Sequence, residues 1–291
     1  MPRLSDRVLV TGAAGFLGSN LVRVLRESGA DVHGLAREEA DLRDPAPIRR
    51  VVESVRPELV FHLAAGAGHP SDAAARSAFL ADTVLGTANL LEALRPLESV
   101  RLVHAGSSLE YGPCSTPMRE TDRIAPTTFR GAAKAAATLL VLQSGVPATV
   151  VRPFSVYGPS EQPHRLVPTA IRAARHGEPI RLTGPGIARD FVYVDDVVDA
   201  LLRAAAVPEA IGEVVNAGTG TQTTNEELVA RLASVLGREL DVRPGEHEAH
   251  PWDTESWVAD TAKAERLLGW TARYDLDAGL ARMLDPVEAG A

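Results

Sequence analysis

The segment VLVTGAAGFLGSNLV (8–22) constrains the fold more than any other stretch of the chain. An apolar run leads into an amphipathic one, with Gly12, Gly15 and Gly18 at the junction. In such a junction the first glycine permits a tight turn. The second lets backbone approach a pyrophosphate, and the third lets a helix pack closely on the sheet. The helix N-terminus then offers free N–H groups and the positive end of its dipole to phosphate oxygens. Strand, turn and helix in that order predict a dinucleotide site, with Gly12, Gly15, Phe16, Leu17 and Gly18 around the phosphates.

The same alternation continues downstream. Arg7–Thr11, Asp31–Leu35, Leu59–Leu63, Ser99–Ala105 and Ala148–Pro153 read as strands. Phe16–Ser28, stopped by Gly29, then Pro47–Val55, Phe79–Leu94 and Gly131–Gln143 read as helices between them. Spacing of this kind predicts an α/β fold with a parallel sheet covered on both faces. After Pro159 the rhythm loosens into loops rich in proline and glycine, with helices at Pro168–His176, Asp195–Ala206, Asn225–Leu236 and Thr261–Leu268. Thr224 and Glu227 form a capping box for the third of these. The expected division is a nucleotide-binding domain over 1–158, with returning segments near 190–220, and a smaller lobe mainly over 159–291 that closes on a cleft.

Composition removes several function classes. At 291 residues and 45% hydrophobic content the chain is long enough to bury its own core. No apolar run approaches the ~20 residues of a membrane helix, and the N-terminus lacks a secretory apolar region. A single cysteine, Cys114, favours a reducing compartment, the cytoplasm. A net charge of −8 argues against non-specific nucleic-acid binding. Of the 30 basic residues only Lys134 and Lys263 are lysines, so each is a candidate for work that arginine does not do.

The end of the second strand bears on cofactor choice. In V-H-G-L-A-R (32–37) the first charged group is Arg37, where an acidic residue would select NAD. A guanidinium there suits a 2′-phosphate and favours NADP, although Glu38 and Glu39 beside it can neutralise it.

Further motifs follow in order: DLRD (41–44), HLAA (62–65), GTANLLEAL (86–94), SSLEYG (107–112), VRPFSVYGP (151–159), RDFVYVDDVVDAL (189–201), NAGTG (216–220) and ADTAKAERLLGW (259–270). Together they resemble the extended short-chain dehydrogenase/reductase family, in particular its nucleotide-sugar epimerases, 4,6-dehydratases and 4-ketoreductases. The resemblance implies a Rossmann-type doubly wound sheet binding NAD(P), and a C-terminal lobe that grips a nucleoside-diphosphate sugar. It places Asp41 and Leu42 near the adenine, and Leu63, Ala64, Ala65 and Pro153 along the cofactor. Arg189 would meet the diphosphate, and Leu166, Val167 and Pro168 would flank the nucleotide. The compact link between the second and third strands looks more like the family's ketoreductases than its epimerases. A homodimer through Phe79–Leu94 and Gly131–Gln143 is also implied.

The resemblance fails at one catalytic position. The family binds the reacting oxygen through a Ser or Thr four residues before a Y-G pair, which Ser107 and Tyr111-Gly112 match. Its acid/base is a tyrosine four residues before a lysine, on the same helical face. Here Lys134 is present but Arg130 holds the tyrosine position, and neighbouring Phe129 has no hydroxyl. An arginine stays protonated, so it is a poor general acid or base, though it can hold an anion or stabilise an oxyanion. Lys134 would keep its task at the nicotinamide ribose. Three further departures accompany it: Thr83 and Ser155 stand where the family has asparagine, and His250 replaces a second diphosphate arginine near Asp253. Tyr111, Glu110 or water would then supply the proton, with His69 a further candidate and Trp252 lining the sugar pocket. No paired spacing suggests a metal site, and no hydrolase elbow is present. The expected activity is C4 oxidoreduction of a nucleotide sugar. Two alternatives stay open: an NAD(P)-binding protein without redox turnover, and a non-redox isomerase or lyase.

Overall fold

In the computed structural model, which describes residues 7–68, 70–248 and 253–284, β1 (Arg7–Thr11) runs through the centre of the molecule. Val8, Leu9 and Val10 are all fully buried. Val8 and Val10 face one apolar layer and Leu9 the other, the two-sided burial that parallel strands need. Burying each such side chain contributes about 1.5–3 kcal/mol.

The neighbours are β2 (Asp31–Leu35), β3 (Leu59–His62), β4 (Arg101–Ala105) and β5 (Ala148–Pro153), with Val214–Ala217 as the final strand. The six pair in parallel, in the spatial order β2-β1-β3-β4-β5 and then Val214–Ala217. This is a doubly wound Rossmann-type sheet whose direction of winding reverses between β1 and β3. Leu21 and Leu25 of α1 (Phe16–Glu27) and Leu201 of a later helix (Val194–Ala206) cover one face. Ile48 and Val52 of α2 (Pro45–Val55) cover the other, with Leu90 and Leu94 from Gly86–Leu94.

Several helix boundaries differ from expectation, the helix expected from Pro168 beginning at Leu166, and three differences have a clear local reason. The second helix starts at Pro45 because Asp44 caps it, accepting from the Ala46 N–H at 3.0 Å, and proline fits the first helical turn. The single helix expected over Phe79–Leu94 is three pieces: α3 (Ala73–Leu80), a π-helical turn at Ala81–Leu85, and α4 (Gly86–Leu94). Asp72 caps α3. The π turn directs the buried Thr83 hydroxyl to accept from the Gly66 N–H at 2.9 Å, a tertiary demand that local spacing does not announce. Finally, α5 (Phe129–Gln143) begins two residues early because the Thr128 hydroxyl accepts from the Gly131 N–H at 2.9 Å. That extension puts Arg130 on the helix.

Beyond β5, α6 (Leu166–His176) packs with Asn225–Leu236 and Leu276–Leu284 around Val167, Ile171, Leu228, Leu232 and Leu280. The Thr224–Glu227 capping box is formed. Among the described residues no helix is long and apolar enough to cross a membrane.

Candidate active site

The reversal between β1 and β3 opens a crevice at the carboxyl ends of the strands, where open α/β sheets bind ligands. Gly12 has φ +70°, and a Cβ there would lie 2.7 Å from the Ala64 nitrogen and 2.8 Å from the Leu63 carbonyl carbon. The loops after β1 and β3 therefore touch through a glycine, bringing together Gly12, Leu63 and Ala64. A Cβ on Gly18 would fall 2.0 Å from the Gly12 oxygen. Gly15 is exposed at the head of α1, with no side-chain cap and no acidic residue in the first turn. A cradle of this shape, with an uncapped helix end, fits the pyrophosphate of a dinucleotide. Replacing Gly18 by alanine is expected to raise the dissociation constant for NAD by at least about tenfold, since the turn must move to admit the methyl group. Titration calorimetry would measure it, and wild-type affinity would refute this account of the turn.

At the expected adenine end, Asp41 binds Arg43, which pulls the Asp41 carboxyl down to about 2. Leu42 is buried beside Gly86. Arg37 is exposed and pairs with Asp82 on the π turn at 3.1 Å, so Asp82, rather than Glu38 or Glu39, faces it.

The other end of the crevice is built on β4. The chain leaves the strand through Gly106 into Ser107, which heads a 3₁₀ turn (Ser108–Glu110) and accepts from the Leu109 N–H at 3.2 Å. Lys134 enters from α5, is buried, and donates from Nζ to the Ala105 carbonyl at 2.7 Å. Burial first, and the Arg130 charge second, bring its ammonium down to about 8, with Glu110 opposing them. Arg130 lies one helical turn before Lys134 and is half-buried. Its charged form is disfavoured by burial and then by Arg165.

Two expected proton donors are corrected by their surroundings. Glu110 is fully buried: Oε1 accepts from the Ser107 N–H at 2.8 Å and the Thr138 hydroxyl at 3.0 Å, and Oε2 accepts from Arg152 Nε at 2.8 Å. It is a structural carboxylate beneath Ser107. Tyr111 is 1% exposed, donates to Asn216 Oδ1 at 2.7 Å and lies under the Arg152 guanidinium at 4.5 Å. Burial pushes its phenol up to about 12, away from the range of a neutral-pH acid.

With this geometry in place, comparison with known proteins is direct. Residues 8–218 match the model of the NAD dependent epimerase/dehydratase family. The chain belongs to that family. It is 32% identical to the UDP-glucose 4-epimerase of Mycolicibacterium smegmatis, over 96% of this chain and 97% of that one. It is 34% identical to the dTDP-6-deoxy-L-talose 4-dehydrogenase (NAD(P)(+)) of Kitasatospora kifunensis, over 93% and 92%. Among solved structures, MoeE5 in complex with UDP-glucuronic acid and NAD superposes with a TM-score of 0.85 at 34% identity, covering 95% of this chain and 97% of MoeE5.

This epimerase/dehydratase chain places the remaining expected residues as follows. Arg189 is half-buried, donates to Asp253 Oδ1 at 2.9 Å and stacks on Trp257 at 5.7 Å. Ser155 heads a short strand paired with Phe191–Tyr193, and Pro153 ends β5 beside Ala217. Val167 is 2% exposed with its side chain in the core around α6, and half-buried Leu166 packs against the same cluster. His69, His250 and Trp252 lie outside the described residues. Arg165 escaped the sequence reading. It stands at the head of α6 without a side-chain capping bond and reaches back to Glu161 at 3.6 Å, an i,i+4 pair whose spacing was its only signal. The Thr11–His62–Thr87 chain under the crevice also went unread, with His62 Nδ1 2.7 Å from Thr11 Oγ1 and Nε2 2.8 Å from Thr87 Oγ1.

Proposed function

We propose that the chain exchanges hydride at C4 of a nucleoside-diphosphate sugar, as an NAD(P)-dependent 4-epimerase or 4-ketoreductase. The observation that carries this reading is one juxtaposition: the glycine cradle after β1 opens on the same sheet edge as Ser107 and Lys134 after β4. Bound there, the cofactor supplies the hydride acceptor and donor. Arg130 takes the place of the family's acid/base tyrosine, four residues before Lys134. The Ser107 hydroxyl accepts from the C4 hydroxyl during oxidation and donates to the C4 carbonyl during reduction.

Proton transfer falls to Lys134 in this reading, because its ammonium is brought to about 8 while Tyr111 and Glu110 are committed elsewhere. As hydride leaves C4, the hydroxyl proton passes by way of Ser107 to the neutral Lys134 amine. On the return, the ammonium gives it back. Ala105, whose carbonyl holds Nζ, is two residues from Ser107, so both groups stand at one strand end. Arg189, Asp253, Ser155, Leu166 and His250 hold the substrate, and Gly12, Gly15, Phe16, Leu17, Gly18, Asp41, Leu42, Leu63, Ala64, Ala65, Pro153 and Lys134 the cofactor. Incubating the protein with NAD and UDP- or dTDP-hexoses, and following C4 by NMR, tests this. Absence of both a C4 epimer and a 4-keto product would refute it.

Arg37 supports NADP over NAD, even with Asp82 opposite, since a 2′-phosphate can compete for its guanidinium. Arg37→Ser is expected to weaken NADP about tenfold and leave NAD unchanged in binding titrations. Equal losses for both would remove the preference. Exposed Leu85, Leu139 and Leu140 along the α4–α5 surface support a homodimer through those helices, and the lone Cys114 suits the cytoplasm.

A further inference from the structure

Arg130 stands in an environment that opposes its charge. It is half-buried, on the N-terminal turn of α5, where the helix dipole is positive. Lys134 lies one turn along, and the charge of Arg165, at the start of α6, disfavours that of Arg130 further. No carboxylate among the described residues pairs with it. Glu110, on the turn after β4, is consumed by Arg152, Thr138 and the Ser107 N–H. Glu161 lies 3.6 Å from Arg165 and forms no ion pair with Arg130. A half-buried cation of this kind is held in folded proteins by a counter-ion, and the described residues provide none.

The missing counter-ion is therefore expected on the ligand. A nucleotide sugar brings a diphosphate, but Arg189 already stands on the lobe to meet it. Arg130 stands at the sugar end, beside Lys134 and Ser107. We infer that Arg130, aided by the Arg165 charge, receives a carboxylate carried on the sugar ring, so that the chain selects acidic, uronic-type nucleotide sugars over neutral ones. This rests on the proposed function, which places a sugar in the cleft. A guanidinium fork matches a carboxylate with two parallel hydrogen bonds, which lysine or glutamine does not reproduce. Losing the tyrosine and gaining selectivity are then one change.

The test is equilibrium binding to the NAD-loaded protein, using the uridine and thymidine diphosphate derivatives of glucose and glucuronate. Wild type is expected to bind the glucuronate at least about tenfold more tightly than the glucose of the same nucleotide. Arg130→Gln should bring that ratio to within about twofold, and Arg130→Lys should fall between. Retained NAD binding establishes that the variants are folded. A wild-type ratio near one, or a ratio that survives Arg130→Gln, overturns the inference and leaves the proposed function standing. Failure of every sugar nucleotide to bind overturns both.

Discussion

Lys134→Met is expected to lower turnover by about 10²–10⁴-fold, the range for losing a positioned proton-transfer group. The variant should remain folded. Methionine removes a buried ammonium whose desolvation already opposes its charged form, and leaves the Ala105 carbonyl short of its 2.7 Å donor. These effects have opposite signs, each about 1–3 kcal/mol. The pH dependence identifies the role. With Lys134 near 8, sugar oxidation needs the neutral amine, so its rate rises as pH increases through about 8. Carbonyl reduction needs the ammonium and falls over the same interval. Because the Arg130 charge helps hold Lys134 down, Arg130→Gln should move both limbs to higher pH. The folded protein releases this proton before the unfolded chain, whose lysine keeps the usual value of 10.5, so stability also rises with pH between about 8 and 10.5. Steady-state rates in both directions across that interval would check the assignment. A Lys134→Met enzyme with wild-type turnover would remove Lys134 from the chemistry and favour a non-redox reaction in the cleft.

What could be read in advance follows from how local each feature is. The β1–α1 cradle is written in consecutive residues, because the turn, the close approach and the helix packing each demand glycine within a short span. The Arg130–Lys134 relation was equally legible, since helical periodicity alone puts them on one face. Glu110 could not be read this way. Its meaning depends on Thr138 and Arg152, 28 and 42 positions away, and an acidic residue in a loop is ordinarily solvated. Tyr111 was misjudged for the same reason, its partner Asn216 lying 105 positions on. The π turn is tertiary too, since nothing within Ala81–Leu85 specifies that the Gly66 N–H needs Thr83.

Glu110→Ala is expected to destabilise the fold by about 3–5 kcal/mol, the cost of breaking a buried ion pair from one side. Arg152 would keep a buried charge whose Nη1 already has no hydrogen-bond partner. The Ser107 N–H and Thr138 hydroxyl would lose their acceptor as well. Glu110→Gln separates these contributions. Its amide oxygen can still accept from Ser107 and Thr138, while its NH₂ group meets the Arg152 Nε–H, donor against donor. It should fall between wild type and alanine in urea denaturation. Replacing Glu110 and Arg152 together by methionine should cost less than Glu110→Ala alone, because no unpaired charge remains. Since Glu110 also fixes the turn that presents Ser107, surviving Glu110→Gln enzyme should lose kcat more than KM, with its pH limbs moved to lower pH because the Glu110 charge no longer holds Lys134 up. Wild-type stability in Glu110→Ala together with a vanished pH limb would return Glu110 to the role of acid or base. The geometry argues against that outcome, because a carboxylate already accepting three hydrogen bonds beneath Ser107 has little capacity left for substrate.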